Sequence, residues 1–163
     1  KSKESTASLV KKVNLIGLNS MMNLTGKKCL IDTNILVAYI NQSHSLHLTA
    51  KKLFQRIVKK EFKPVLSSQN LLELTAVLVH AFKISKQEAV KDVELFANDP
   101  LFEIIYPNVN VLNRFFDFMK GEVSIHTVDE FLISTALGNG VNIIITADKQ
   151  FMKVKEIKTI LLI

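Results

Sequence analysis

The sequence predicts an α/β fold of three layers, with a mainly parallel sheet of four or five strands covered by helices on both faces. Two observations carry that expectation. Short apolar runs of strand length alternate with longer stretches whose apolar residues return at helical spacing, and the strand runs are apolar almost throughout, as strands buried on both faces must be. The 163 residues, 48% of them apolar, suffice for one domain with one sizeable core. No internal repeat, low-complexity tract or second domain interrupts the pattern.

Leu30 and Ile31 read as the end of a short buried strand, after which Ile35, Leu36, Tyr39 and Ile40 take helical spacing. Asp32 stands where the periodicity changes, on the carboxyl rim of the sheet, where rigid backbone presents exposed side chains and ligands collect. A helix cap is the competing role for Asp32, and Thr33 is the residue expected to cap if Asp32 is otherwise engaged. Ser45 to Lys60 reads as a second helix, apolar at Leu46, Leu53, Phe54, Ile57 and Val58. Pro64 to Leu66 is a short strand, followed by a helix near Ser68 to Ala81 that Ser67 or Ser68 caps. Its packing side is Leu71, Leu74, Thr75, Leu78 and Val79, and Glu73 lies in its second turn.

Ser85 begins a helix to Ala97 with Val90, Val93 and Phe96 inward, stopped by Asn98-Asp99-Pro100. Phe102 to Tyr106 is strand-like, and Asn108 or Asn110 opens a helix to Lys120. Thr127 and Glu130 have the spacing of a capping box at the head of a helix that runs through Leu137 into Gly138-Asn139-Gly140. Val141 to Ile145 is a buried strand ending in Thr146-Ala147-Asp148-Lys149; a turn containing Phe151 follows, and Ile157 to Ile163 is the last strand.

Composition excludes several classes. Cys29 is the single cysteine, so neither a disulfide framework within the chain nor a multi-cysteine zinc site is available, and its place in the first strand reads as a small buried hydrophobe. No apolar run reaches the roughly 18 to 20 residues of a membrane span and no apolar signal core opens the chain, so the expectation is a soluble, cytoplasmic protein. The net charge is +6, but residues 1–28 hold six lysines against Glu4 and supply five of those charges. Residues 1–27 form a basic N-terminal extension, either a flexible appendage or a short amphipathic helix, ahead of a domain at 28–163. Basicity therefore supports a nucleic-acid partner only weakly.

Four acids share an address. Asp32 and Asp148 end strands, while Asp129 and Glu73 lie in the first or second turn of helices that leave the same rim. The nineteen positions that separate Asp148 from Asp129 are a helix going down and a strand coming back, so their ends meet at the top of the sheet. Each acid has a plain structural role open to it: Asp129 at a helix dipole, Asp148 as a cap, Glu73 as an exposed early-helix acid. One shared site is more economical than four separate explanations. Clustered carboxylates raise one another's pKa unless a cation neutralises them, and all-oxygen ligation points to Mg2+ or Mn2+ ahead of zinc. Such a centre activates water for attack on a phosphodiester.

Ile31-Asp32-Thr33-Asn34, Leu72-Glu73, the Asp129 segment from Thr127 to Ala136, and Ile145-Thr146-Ala147-Asp148-Lys149-Gln150-Phe151 together resemble the PIN-domain nucleases, in particular the small VapC-like toxins. The likeness covers roughly residues 28 to 163. It implies a sandwich with a parallel sheet, divalent-metal-dependent endoribonuclease activity, a homodimer and, often, a small antitoxin protein as inhibitor. By the same likeness Asp32, Glu73 and Asp129 are the principal metal ligands, and Asp148 completes the catalytic set directly or through water. Thr146 would orient the neighbouring acid, and Thr33 or Asn34 would position Asp32 or the scissile phosphate.

Among other groups, Lys149 and His126 are candidates for RNA contact beside the rim, whereas His44 and His47, three positions apart, have no evident third partner for zinc. Competing functions are an RNA-processing nuclease without an antitoxin and a non-catalytic nucleic-acid-binding or assembly module. A signalling receiver domain fits the positions of Glu73 and Asp129 less well, and no Gly-rich phosphate loop supports a small-molecule phosphatase.

Overall fold

The computed structural model describes residues 24–121 and 125–163. Expectations for residues 1–23 of the basic extension therefore lie outside the described residues. Among the described residues five strands form one sheet: β1 (Lys28–Ile31), β2 (Lys63–Ser67), β3 (Glu103–Ile105), β4 (Ile143–Thr146) and β5 (Lys158–Leu161). Their order is β3-β2-β1-β4-β5 and every pairing is parallel. The helices are α1 (Thr33–Ile40), α2 (His47–Val58), α3 (Ser68–Ala76), α4 (Lys86–Asn98), α5 (Val109–Lys120) and α6 (Thr127–Gly138). A π-helical turn, Val77–Ala81, continues α3, and a 3-10 turn, Lys149–Lys153, joins β4 to β5.

The strands alternate their side chains between two cores, which is why they read as continuous apolar runs. In β1, Cys29 and Ile31 face one core with Leu36, Phe54 and Leu74, while Leu30 faces the other with Ile133, Val141 and Phe151. Ile143 and Ile145 of β4 join the first core and Ile144 the second. Leu24, ahead of β1, is also buried in the first core. Cys29 is fully buried, and burial pushes its thiol up to about 12, so it behaves as the small hydrophobe expected.

Strand order creates the site. The chain builds outward from β1 through β2 to β3, then returns to the other side of β1 for β4 and β5. The reversal falls between β1 and β4, and in open parallel sheets the crevice above such a switch point is where ligands bind. Asp32 follows β1 directly, and its N–H donates to the Ile145 carbonyl of β4 at 3.0 Å.

The caps fall largely where polar residues announce them. Ser67 and Asn70 make a reciprocal capping box at α3, Ser85 and Glu88 one at α4, and Asn108 caps α5. Four expectations need correction. The α6 capping box is not made, because His126 takes the cap position, with Nδ1 accepting from the Val128 N–H, and Thr127 becomes the first helical residue. Thr33 does not cap α1, because Asp32 itself occupies that position and accepts from the Thr33 N–H at 2.7 Å. Val90 points outward at 46% exposure, since the inward stripe of α4 runs through Ala89, Val93 and Phe96. The single helix expected to Ala81 changes to π geometry after Ala76, just past Thr75, whose hydroxyl donates to the Leu71 carbonyl, a back-bond that bends helices.

Helices α5 and α6 pack closely, with Phe115 edge-on to Phe131. Gly138 permits the contact, since a Cβ there would lie 2.8 Å from the buried Val111 Cγ2. Gly138→Ala is therefore expected to destabilise the protein by about 1 kcal/mol, overpacking outweighing the gain in helix propensity. Urea denaturation checks this, and Val111→Ala in the same chain should remove the clash.

Candidate active site

The rim above β1 and β4 is built around Asp32, which is 6% exposed. Its Oδ1 accepts from the Thr33 N–H at 2.7 Å, and its Oδ2 accepts from Asn34 Nδ2 at 2.7 Å and from the Thr146 hydroxyl at 2.5 Å. Thr146 ends β4 and is fully buried, so its hydroxyl is fixed by the sheet. The same oxygen accepts from the Asp148 N–H at 2.9 Å, and Asn34 Oδ1 accepts from the Ala147 N–H at 3.1 Å. Asn34 and Thr146 thus bind the β1–α1 junction to the end of β4. The resemblance had Thr146 orienting Asp148. Here its proton goes to the Asp32 carboxylate, and Asp148 is tied through its backbone.

Glu73 enters from the second turn of α3. Its Oε2 accepts from the Thr33 hydroxyl at 2.6 Å and its Oε1 from Gln69 Nε2 at 2.7 Å. Asn70, fully buried, donates from Nδ2 to Thr33 Oγ1 at 3.0 Å. Gln69 also donates to the Val128 carbonyl at 2.9 Å, one residue before Asp129. Asp148 caps the 3-10 turn by accepting from the Gln150 N–H at 2.8 Å.

Charge couples these groups. Burial, opposed by the Thr146 and Thr33 donors and reinforced by the Asp129 and Glu73 charges, raises the Asp32 carboxyl from its ordinary 3.8 to about 6. Asp129 is also raised, first by burial and then by the charge of Asp148, with His126 opposing and Glu73 and Glu130 adding. The structure therefore brings Asp32, Glu73, Asp129 and Asp148 to one rim. His126 caps α6 beside them and Lys149 is exposed at the start of the following turn. His44 and His47 are engaged elsewhere, His44 Nδ1 accepting from the Leu46 N–H and His47 Nδ1 lying 3.1 Å from the Ala38 carbonyl.

The donor set suits a hard cation, since the four groups that share the rim are carboxylates, and burial together with the charge of neighbouring acids raises both Asp32 and Asp129. Among the described residues, no three His, Cys, Asp or Glu side chains converge tightly enough to hold an ion as they stand. Asp32 is fixed by its three donors, while Glu73, Asp129 and Asp148 are only partly buried.

Three polar residues of the rim escape a reading of the sequence. Gln69 and Asn70 act through partners distant in the chain, although the Ser67-to-Asn70 capping spacing was a usable signal for Asn70. Glu130 was assigned to the α6 cap, but it is turned inward at 5% exposure, with Oε2 lacking a hydrogen-bond partner.

The family model of the PIN domain matches residues 29–157, and the chain belongs to that family. Among solved structures the fold is similar to VapBC-1 from nontypeable Haemophilus influenzae, with a TM-score of 0.63 and 18% identity over 81% of this chain and 96% of that one. VapBC2 from Rickettsia felis, bound to a DNA fragment from its promoter, gives 0.62 and 18% over 81% and 96%. Mycobacterium tuberculosis VapC20, a sarcin-ricin loop cleaving toxin, gives 0.58 and 15% over 71% and 86%. At these identities the likeness is one of fold. No curated protein matches the chain.

The raised Asp32 carboxyl has a consequence for stability. The folded protein holds this proton more tightly than the unfolded chain, so the group favours folding most below pH 3.8 and loses that contribution as pH rises through about 6. Asp32→Asn removes the dependence. Its unfolding free energy minus that of the wild type, measured with urea in EDTA, should grow by roughly 3 kcal/mol across that window.

Proposed function

We propose that the protein is a divalent-metal-dependent endoribonuclease that hydrolyses phosphodiester bonds at the Asp32, Glu73, Asp129 and Asp148 rim. The observation that carries this reading is Asp32 itself, a buried carboxylate held by three donors at the switch point while charges from Asp129 and Glu73 press on it. Membership of the PIN-domain family supports the reaction class. When bound, Mg2+ or Mn2+ supplies positive charge to the phosphate and lowers the pKa of a water. The four carboxylates are the groups that would hold the ion.

The chain's own contribution is positional. Thr146, Asn34 and the Thr33 N–H keep Asp32 from turning away, and Thr33 with Gln69 does the same for Glu73. Lys149 and His126, both exposed beside the rim, are the groups this reading assigns to RNA phosphates. Attack of a water oxygen on phosphorus with departure of the 3′ oxygen leaves a 5′-phosphate and a 3′-hydroxyl.

The likeness to VapBC structures supports a toxin role, with an antitoxin as partner and a homodimer as the assembly. On the surface, Val109, Leu112, Phe116 and Met119 form an exposed apolar stripe on α5 suited to a second copy. A groove of about 800 Å3 lined by Tyr39, Phe54, Leu95, Phe96 and Phe102 suits an apolar partner segment. Among the described residues no helix is long and apolar enough to cross a membrane.

Incubation with a mixed RNA pool in Mg2+ or Mn2+, with product ends mapped, tests the proposal. Wild type should cleave, EDTA should abolish cleavage, and folded Asp129→Asn should lose at least about 100-fold, more than the loss of a supporting partner costs. Cleavage retained in EDTA or by Asp129→Asn overturns the reading. RNA binding without cleavage, indifferent to chelator, would instead identify a non-catalytic binding module.

A further inference from the structure

We infer that Gln69 is a positioning residue of this site, its side-chain amide tying the Glu73 carboxylate on α3 to the first turn of α6 and so setting Glu73 relative to Asp129. The inference rests on the metal-dependent reading above and adds a residue outside the four carboxylates.

Gln69 lies four residues before Glu73, one helical turn away on the same face. Its Nε2 donates to Glu73 Oε1 at 2.7 Å and to the Val128 carbonyl at 2.9 Å. Both amide hydrogens are thereby used, and both partners are acceptors, so the orientation of the amide is unambiguous. The consequence for its other end is unfavourable: Gln69 Oε1 is buried and has no hydrogen-bond partner. A buried polar atom left unsatisfied calls for an explanation. Here the two donations hold the nitrogen in place at the expense of the oxygen.

The second Glu73 oxygen is fixed just as firmly. Asn70 Oδ1 accepts from the Ser67 N–H and hydroxyl, which turns Asn70 Nδ2 toward Thr33 Oγ1. With that lone pair occupied, the Thr33 hydroxyl directs its own proton to Glu73 Oε2. Glu73 is therefore gripped from the α1 side by Thr33 and from the α6 side by Gln69. Loss of Gln69 leaves Glu73 free to swing about its terminal torsion and removes the side-chain link from α3 to the residue beside Asp129. In hydrolysis Gln69 touches no reacting atom; it acts through Glu73 and Asp129.

The test is calorimetric titration of Mn2+ into the full chain, as wild type, Gln69→Leu, Gln69→Glu, Glu73→Gln and the Gln69→Leu/Glu73→Gln pair, each checked for folding by circular dichroism. Removing a partner that orients a metal ligand costs about 10- to 100-fold in affinity, and Gln69→Leu and Gln69→Glu are each expected to fall in that range. In the Glu73→Gln background, Gln69→Leu should add less than about twofold, because the two residues act as one unit. Amide hydrogen exchange in the first turn of α6 should also quicken in the metal-free Gln69→Leu protein. Wild-type Mn2+ affinity in either folded Gln69 variant, or full additivity with Glu73→Gln, overturns the inference while leaving the metal reading intact. A wild-type chain that binds no Mn2+ overturns the metal reading, and this inference with it.

Discussion

A carboxylate withdrawn from water at the point where strand order reverses is the constraint on which the rest of the structure depends. Removing a charge from solvent costs several kcal/mol unless protein donors replace the lost water. Asp32 receives three, and they come from two places: Thr33 and Asn34 just after β1, and Thr146 at the end of β4. The pairing of those strands, Leu30 beside Ile144 and Ile31 beside Ile145, is therefore also the alignment of an acid with its hydroxyl partner. A slip of one residue would turn Thr146 to the opposite face of the sheet and strand the carboxylate.

Outward from that centre the rim becomes more exposed and more adjustable. Glu73 is held at both oxygens but half-buried, and Asp129 is partly buried at the head of a helix capped by His126. Asp148 is held by its own backbone and by the turn it caps. This gradient suits a site with two held acids, Asp32 and Glu73, and two, Asp129 and Asp148, that are less constrained. Burial first, and the charge of neighbouring acids after it, raises the carboxyls of Asp32 and Asp129.

The sheet and the addresses of the four acids were legible in the sequence because both are local signals. An apolar run followed by helical spacing locates a strand end, and an acid at that point lies on the rim by geometry alone. Ser67, Ser85 and Asn108 were readable as caps for the same reason. What escaped depends on partners far along the chain. Gln69 meets Val128 across 59 positions and Thr146 meets Asp32 across 114, separations that leave no periodic trace. The Thr127-to-Glu130 pattern misled because a capping box is a property of two backbone amides, and the Glu130 N–H donates instead to the His126 carbonyl, one turn earlier in the helix. Val90 was misplaced because a helix's inward stripe is set by what it packs against, and Phe96 near Phe54 and Phe102 rotates α4 to favour Ala89.

The position of Thr146 late in the chain bears on how the protein is made. β1 emerges from the ribosome well before the strand that completes its other edge, and the hydroxyl that steadies Asp32 follows that acid by 114 positions. Domains of this kind form their long-range pairings as units, after the distant segment is available. Over those 114 positions a growing chain thus carries Asp32 without the strand that gives the carboxylate its setting. Whatever chemistry the rim performs is withheld from the translating ribosome until β4 has followed and paired.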